Sequence, residues 1–285
     1  MSEYSHNNQK MKNNTIFITG ASSGIGRSIA EYFQQKGWNV AATMRTPEKY
    51  ADLAEMTNVN LYKLDVIDQS SIDNAINSAI RDFGSIDVIV NNAGYGLVGA
   101  FEASTNDQIK RQFDTNVFGL MNVTRSILPH FRKQKSGIII NVASVGGRIT
   151  FPLYSLYHGT KWAVEGFSES LHYELRQFGI KVKLIEPGAI KTDFYDRSMD
   201  LMKADGLEEY DNYVKNTFAT MQDVGANAPG PIVVAKKVYK AATDGSSTLR
   251  YPVGSGAPFL LFLKRLLPNS WFFGIVRMAT ERKRK

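Results

Sequence analysis

The chain has 285 residues, no cysteine and a formal net charge of +7. That length allows one large domain with a sizeable core, and the missing cysteine excludes disulfides, thiolate zinc sites and cysteine nucleophiles. Much of the positive excess lies in Arg282-Lys283-Arg284-Lys285, which reads as a solvated tail rather than a nucleic-acid surface, since no aromatic–basic interleaving accompanies it.

Met1 to Asn14 is polar and asparagine-rich with no apolar stretch of the signal-peptide kind, which predicts a disordered lead-in and a cytoplasmic protein. Thr15–Thr19 follows as a short β-branched run, a first strand. It ends in Thr19-Gly20-Ala21-Ser22-Ser23-Gly24-Ile25-Gly26, a glycine-rich turn that offers backbone N–H groups to a phosphate. The helix after it places Ile25, Ile29 and Phe33 four residues apart and stops at Gly37. Val40–Thr43 predicts a second strand, Asn60–Leu64 a third leading into Asp65, and Ile86–Val90 a fourth ending at Asn91-Asn92-Ala93-Gly94. Gly137–Val142 is the fifth and Lys181–Ile185 the sixth, with Leu249–Val253 as a seventh.

Apolar strands alternating with helix-length segments predict an α/β fold, a doubly wound parallel sheet of about seven strands with helices on both faces. No internal repeat or low-complexity linker divides it, so residues 15–256 are expected to form a single domain. In such a sheet ligands collect beyond the strand ends, near the switch in strand order. The glycine turn, Asp65, Asn91–Gly94, Ser144 and Pro187-Gly188 all follow strands, so the chemistry-bearing residues gather on one edge.

The glycine pattern is G-x-x-x-G-x-G, not the G-x-G-x-x-G dinucleotide fingerprint. Gly20-x-Ser22-x-Gly24 also matches the nucleophile elbow of serine hydrolases, although that elbow needs earlier strands and an oxyanion loop before it. Tyr-x-x-x-Lys occurs twice, at Tyr32/Lys36 and Tyr157/Lys161. Residues four apart share a helix face, but only Tyr157 has a strand-end serine, Ser144, thirteen residues before it. Tyr154 has no lysine one turn later.

From Thr15 to Pro252 the chain resembles the short-chain dehydrogenase/reductase family. The resemblance rests on Thr19–Gly26 as T-G-x-x-x-G-x-G, Asn91–Gly94 as N-N-A-G, and Asn116 in Asp114-Thr115-Asn116-Val117. It extends to Ser144, to Tyr157 and Lys161 as Y-x-x-x-K, and to Pro187-Gly188 with Thr192 beyond. His158-Gly159-Thr160 departs from the small residues common inside the catalytic segment, and His158 reads as a pocket or surface residue rather than a second acid.

The resemblance implies a Rossmann-type fold and hydride transfer between a nicotinamide nucleotide and a carbonyl or alcohol, in a homodimer or homotetramer. Tyr157 is then the general acid/base, Ser144 holds the substrate oxygen, Lys161 tunes Tyr157 and meets the nicotinamide ribose, and Asn116 holds a water. A free tyrosine titrates near pH 10, and a cation one turn away favours its phenolate. Cofactor contacts are implied at Gly20, Ser22, Ser23, Gly24, Ile25, Gly26, Asp65, Val66, Asn92, Ala93, Gly94, Tyr157, Lys161, Pro187, Gly188 and Thr192. The second strand ends Ala42-Thr43-Met44-Arg45 with no carboxylate to accept from a ribose 2′-hydroxyl. Arg45 offers its planar fork to a 2′-phosphate instead, which points to NADP(H), with NAD(H) as the alternative.

Between Asp193 and Pro231 lies a Met-rich, aromatic stretch holding Phe194, Tyr195, Met199, Met202, Tyr210, Tyr213, Phe218 and Met221. Its flexible apolar side chains suit a bulky lipophilic substrate. By position it resembles the family's substrate lid, and with Ala42-Thr43-Met44-Arg45 it is similar to members acting on steroids or retinoids, which implies a steroid-, retinoid- or lipid-like substrate. Gly94-Tyr95-Gly96 is expected to add a mobile wall. Residues 257–285 form an apolar segment with a basic tail, interrupted by Lys264, Arg265 and Pro268, which makes a poor transmembrane helix. Packing on the domain or a partner subunit is expected, with peripheral membrane contact as the other reading. Two further functions remain open on the residues: a non-catalytic NADP-binding sensor, and a serine hydrolase using Ser22.

Overall fold

A computed structural model describes residues 13–192 and 199–280. The expected lead-in up to Lys12, Asp193, Phe194 and Tyr195 of the expected lid, and the basic tail from Arg282 lie outside the described residues. In chain order the strands are β1 (Thr15–Thr19), β2 (Asn39–Met44), β3 (Val59–Lys63), β4 (Val88–Asn91), β5 (Gly96–Val98), β6 (Gly137–Val142), β7 (Ile180–Pro187), β8 (Met199–Leu201) and β9 (Arg250–Val253). Seven of them form one parallel sheet in the order β3-β2-β1-β4-β6-β7-β9. The order reverses between β1 and β4, the switch point where a crevice opens.

The helices are α1 (Gly24–Gln35), α2 (Ala51–Ala54), α3 (Gln69–Phe83), α4 (Asn106–Phe113), α5 (Leu120–Gln134), α6 (Ser155–Leu175), α7 (Asp211–Ala226), α8 (Ile232–Thr243), α9 (Ala257–Leu266) and α10 (Asn269–Thr280). Alternation along each strand divides the core in two. Ile16, Ile18, Val88 and Val90 pack under Ile29 and Phe33 of α1 and Val234 and Val238 of α8. Phe17 and Ile89 pack on the opposite face under Ile72 and Ile76 of α3 and Val123 and Ile127 of α5. Both faces are covered, which is why these strands read as continuous apolar runs.

Local chemistry sets the helix ends. The Asp68 side chain accepts from the N–H groups of Ser70 and Ser71 at the start of α3, and Gly84 closes that helix at φ 80°. Thr105 and Gln108 form a reciprocal capping box on α4. The helix after the glycine turn ends at Gln35, and Gly37 takes the left-handed turn just beyond it.

The predicted strands all lie in the main sheet, with ends shifted by one or two residues. Leu64 falls outside β3, and Ile86 and Asp87 precede β4, where the Asp87 carboxylate instead accepts the Thr15 N–H at 2.7 Å. Two features carried no sequence signal, and a third fits the expected packing of the C-terminal segment. The β5 and β8 strands pair in parallel as a separate ribbon, Asp114–Gly119 is a π-helical segment, and α9 and α10 turn back onto the domain around Val145, Ile149 and Phe272.

Candidate active site

The crevice begins at the glycine turn. Gly20 has φ +67°, and a Cβ there would stand 2.9 Å from the Ala93 Cα. A Cβ on Gly26 would stand 2.2 Å from the Gly20 carbonyl oxygen, so α1 approaches the turn more closely than any side chain allows. Thr19 and Asn92 bind the ends of β1 and β4 across the switch point. The Thr19 Oγ1 accepts the N–H groups of Asn92 and Ala93, each at 3.0 Å. The Asn92 Nδ2 donates back to the carbonyls of Thr19 and Gly20, again at 3.0 Å. Ser23 gives α1 no side-chain cap, so the positive end of that helix is presented to the crevice.

Ser144 follows β6 and caps the short turn Val145–Gly147, accepting the Gly146 N–H at 3.0 Å and donating to the Pro187 carbonyl at 3.4 Å. Tyr157 and Lys161 stand one turn apart near the start of α6. The Lys161 ammonium is buried, donates to the Val142 carbonyl at 2.9 Å, and lies 5.6 Å from the Tyr157 ring centre. Burial pushes its pKa down to about 8, against the opposing charge of Glu165.

Asn116 sits in the π-helical segment, a local widening frequent at functional sites. Its Oδ1 accepts the Tyr95 N–H at 3.0 Å, and its Nδ2 donates to the Tyr95 carbonyl at 2.8 Å and to Thr160 Oγ1 at 3.2 Å. Together with the Gln112 bond to the same carbonyl, these contacts pin the Gly94-Tyr95-Gly96 wall that the sequence suggested would be mobile. His158 is buried, takes the Phe151 N–H at its Nδ1, and stacks on Tyr154. Burial lowers its pKa to about 4, so it stays neutral at ordinary pH.

Beneath Lys161 lies a carboxyl pair, Glu165 on α6 and Glu186 on β7. Burial raises both pKa values, Glu165 to about 7, against the pull of Arg250 and Arg148. Arg250 Nε reaches Glu165 at 3.0 Å, and Arg148 reaches Glu186 at 3.3 Å. Sequence reading missed Glu165, although its place four residues after Lys161 on one helix puts the two on a common face.

One cavity of about 1010 Å³ joins these parts. Of the residues singled out from sequence, Gly20, Ser22, Ser23, Gly24, Ile25, Arg45, Asp65, Val66, Asn92, Ala93, Gly94, Ser144, Tyr157, Lys161, Pro187, Gly188 and Thr192 all line it. Gly26 and Asn116 do not: Gly26 lies behind the wall, where it makes room for the turn, and Asn116 lies behind Tyr95. The far wall is apolar. Met199, Met221 and Val224 come from the expected lid, while Met202 packs instead with Leu97 and Leu156. Leu260, Phe272, Ile275 and Val276 of α9 and α10 complete that wall. Sequence reading had given this segment packing on the domain or a partner, or a membrane contact, but not a place in the cavity wall, although Phe272, Val276 and Thr280 recur at helical spacing.

The family model for short chain dehydrogenase matches residues 14–201. An uncharacterized oxidoreductase of Schizosaccharomyces pombe is 40% identical over 240 residues, which cover 84% of this chain and 98% of that protein. A Bacteroides thetaiotaomicron protein named 3-ketodihydrosphingosine reductase is 36% identical over 207 residues, 72% of this chain and 75% of that one. The crystal structure of a short-chain dehydrogenase from Streptomyces avermitilis superposes with a TM-score of 0.80 at 33% identity, covering 95% of this chain and 96% of that one. ElxO with NADP bound superposes with a TM-score of 0.72 at 27% identity, covering 87% of this chain and 99% of ElxO. The chain belongs to the short-chain dehydrogenase family. Its Rossmann-type sheet is that of an oxidoreductase of this class.

Proposed function

We propose that the chain is an NADP(H)-dependent oxidoreductase that interconverts a carbonyl and an alcohol on a lipophilic substrate, with Tyr157 as the general acid/base. The observation that carries this reading is that Ser144, Tyr157 and Lys161 line the same cavity as the glycine turn and Arg45. The residues fit such a nucleotide. Gly20 and Gly26 keep open a turn that a Cβ would fill, the uncapped end of α1 suits a pyrophosphate, and Arg45 follows β2 where an acid would favour NAD(H). The NADP bound to ElxO supports the same choice.

When bound, the nicotinamide nucleotide supplies or takes up the hydride. The Tyr157 hydroxyl gives its proton to the carbonyl oxygen in reduction and removes the alcohol proton in oxidation. Ser144 holds that oxygen through its Oγ, which the Gly146 N–H orients. Lys161, fixed on the Val142 carbonyl, stabilises the phenolate charge. The Asn116 amide is committed to Tyr95 and Thr160, and we assign it a positioning role rather than the holding of a water. The far wall of Met199, Met221, Leu260 and Phe272 suits an apolar body, and the relative named 3-ketodihydrosphingosine reductase points toward a lipid ketone. Assembly as a homodimer or homotetramer is proposed from family membership and is read by sedimentation.

Tyr157→Phe is expected to lower turnover by at least about a hundredfold while NADPH binding, followed by its fluorescence, is kept. Near-normal turnover would remove Tyr157 from the role. Arg45→Ala is expected to erase most of the preference for NADPH over NADH, and an unchanged preference would refute the 2′-phosphate contact. No observation favours the hydrolase or sensor readings.

A further inference from the structure

The C-terminal helices have two faces, and the cavity accounts for one. On α9, Ala257 and Leu261 turn inward, while Phe259, Phe262 and Leu266, spaced three and four apart, share the outer face at 56–63% exposure. On α10, Phe272 is buried, while Trp271 and Met278 are each 68% exposed and a helical repeat of seven apart. Lys264 ties the two helices together, with its ammonium over the rings of Phe272 and Phe273 and a bond to Asn269. Such a grouping of large exposed apolar side chains on neighbouring helices marks an interaction surface.

The charge on this face selects its partner. Residues 257–280 contain Lys264, Arg265 and Arg277 and no acid at all. The last 29 residues hold seven basic residues and one acidic, against a net charge of +7 for the whole chain. A second copy packed through this face about a two-fold axis would set each cationic cluster against its equal. An anionic lipid surface meets both properties, taking the apolar side chains below its headgroups and the cations at their level. No described helix is long and apolar enough to cross a membrane, so the contact lies in the surface plane.

We infer that the outer face of the α9–α10 hairpin seats this protein on an anionic lipid surface. The inner face of the same hairpin walls the cavity through Leu260, Phe272 and Val276. An apolar molecule leaving the bilayer at this seat therefore meets the substrate end of the crevice; this last point rests on the oxidoreductase reading above, whereas the seat itself does not.

The test uses the full-length chain with vesicles of phosphatidylcholine alone or mixed with phosphatidylglycerol, in flotation and in titration. Wild type is expected to float with the mixed vesicles and much less with phosphatidylcholine alone. Phe262→Glu with Trp271→Glu should weaken binding at least tenfold, and Arg265→Glu by about fivefold. Both variants should keep NADPH oxidation on a water-soluble carbonyl, since neither touches the cavity. If the double variant does not fold, tryptophan quenching by brominated lipid in wild type decides, and Trp271→Phe should remove that quenching. Failure of wild type to float, equal flotation of wild type and a folded double variant, or quenching that persists in Trp271→Phe would overturn the seat. So would self-association through this face, seen as a change of mass on sedimentation in the double variant, with no vesicle binding by either protein. A wild type that floats but oxidises no NADPH would instead count against the oxidoreductase reading alone.

Discussion

Replacing Gly26 with alanine inserts a methyl group 2.2 Å from the Gly20 carbonyl oxygen and 2.5 Å from the Asn92 Nδ2. Neither neighbour is the loose end of a flexible chain. The Gly20 carbonyl is backbone, and the Asn92 amide already donates to the Thr19 and Gly20 carbonyls. Making room means parting α1 from the turn, which breaks one or both of the hydrogen bonds donated by the Asn92 amide at about 1 kcal/mol each. Overpacking of a dense site adds about 1–3 kcal/mol. A total loss of about 3 kcal/mol corresponds to a fall in Tm of roughly 5 °C for a chain of this size. Gly166, on the exposed side of α6, supplies the contrast, because nothing lies within 4 Å of a Cβ built there. Alanine at that position should stabilise by about 0.5–1 kcal/mol through the lower entropy of the unfolded chain. Thermal unfolding of both variants, with NADPH titration by fluorescence, reads the outcome: Gly26→Ala should melt early and bind at least about tenfold more weakly, a shift worth 1.4 kcal/mol. A Gly26→Ala protein that melts and binds like wild type would refute the close-approach argument. An equal loss in Gly166→Ala would show that helix glycines in general, and not this contact, set the cost.

Lys161 titrates near pH 8, and its cation is present below that value, so kcat/KM should be flat up to about pH 7.5 and fall above pH 8; a rate that still rises at pH 9 would exclude a required ammonium. Glu165→Gln removes the carboxylate that holds the Lys161 pKa up, and the alkaline limb should move to lower pH. The Glu165 carboxyl is raised to about 7, so the native state binds a proton that the unfolded chain releases near pH 4.5. Its contribution to stability is therefore lost as pH rises from about 4.5 to 7, and Glu165→Gln should flatten the urea midpoint across that window. Lys183 on β7 is fully buried and donates to the Ala241 carbonyl, Asp244 and Tyr251; Lys183→Met strands those acceptors and should cost roughly 3 kcal/mol by urea unfolding, leaving cofactor affinity unchanged.

The sheet was legible because its strands are buried on both faces and read as β-branched runs, as in Thr15–Thr19 and Gly137–Val142. The nucleotide turn was legible through its glycines, where a backbone position admits no Cβ. Pairings between distant segments were not. Gly96–Val98 and Met199–Leu201 are strands only because each finds the other across a hundred residues. The π-helical segment around Asn116 has no composition of its own, and the carbonyl that fixes Lys161 is backbone at Val142, invisible to any residue pattern. The amphipathic spacing of α9 and α10 was readable, but not which cavity their inner face would wall.

The cavity divides along the chain as well as in space. Residues contributed by 20–192 hold the glycine turn, Arg45, Ser144, Tyr157 and Lys161, while Met199, Met221, Leu260, Phe272 and Val276 all come after residue 198. On the proposed function, the proton-transfer groups and much of the apolar wall thus lie in consecutive stretches, although Phe151 and Tyr154 of the first also face the cavity. Substitutions after residue 198 would, on that reading, change selectivity while leaving Ser144, Tyr157 and Lys161 in place.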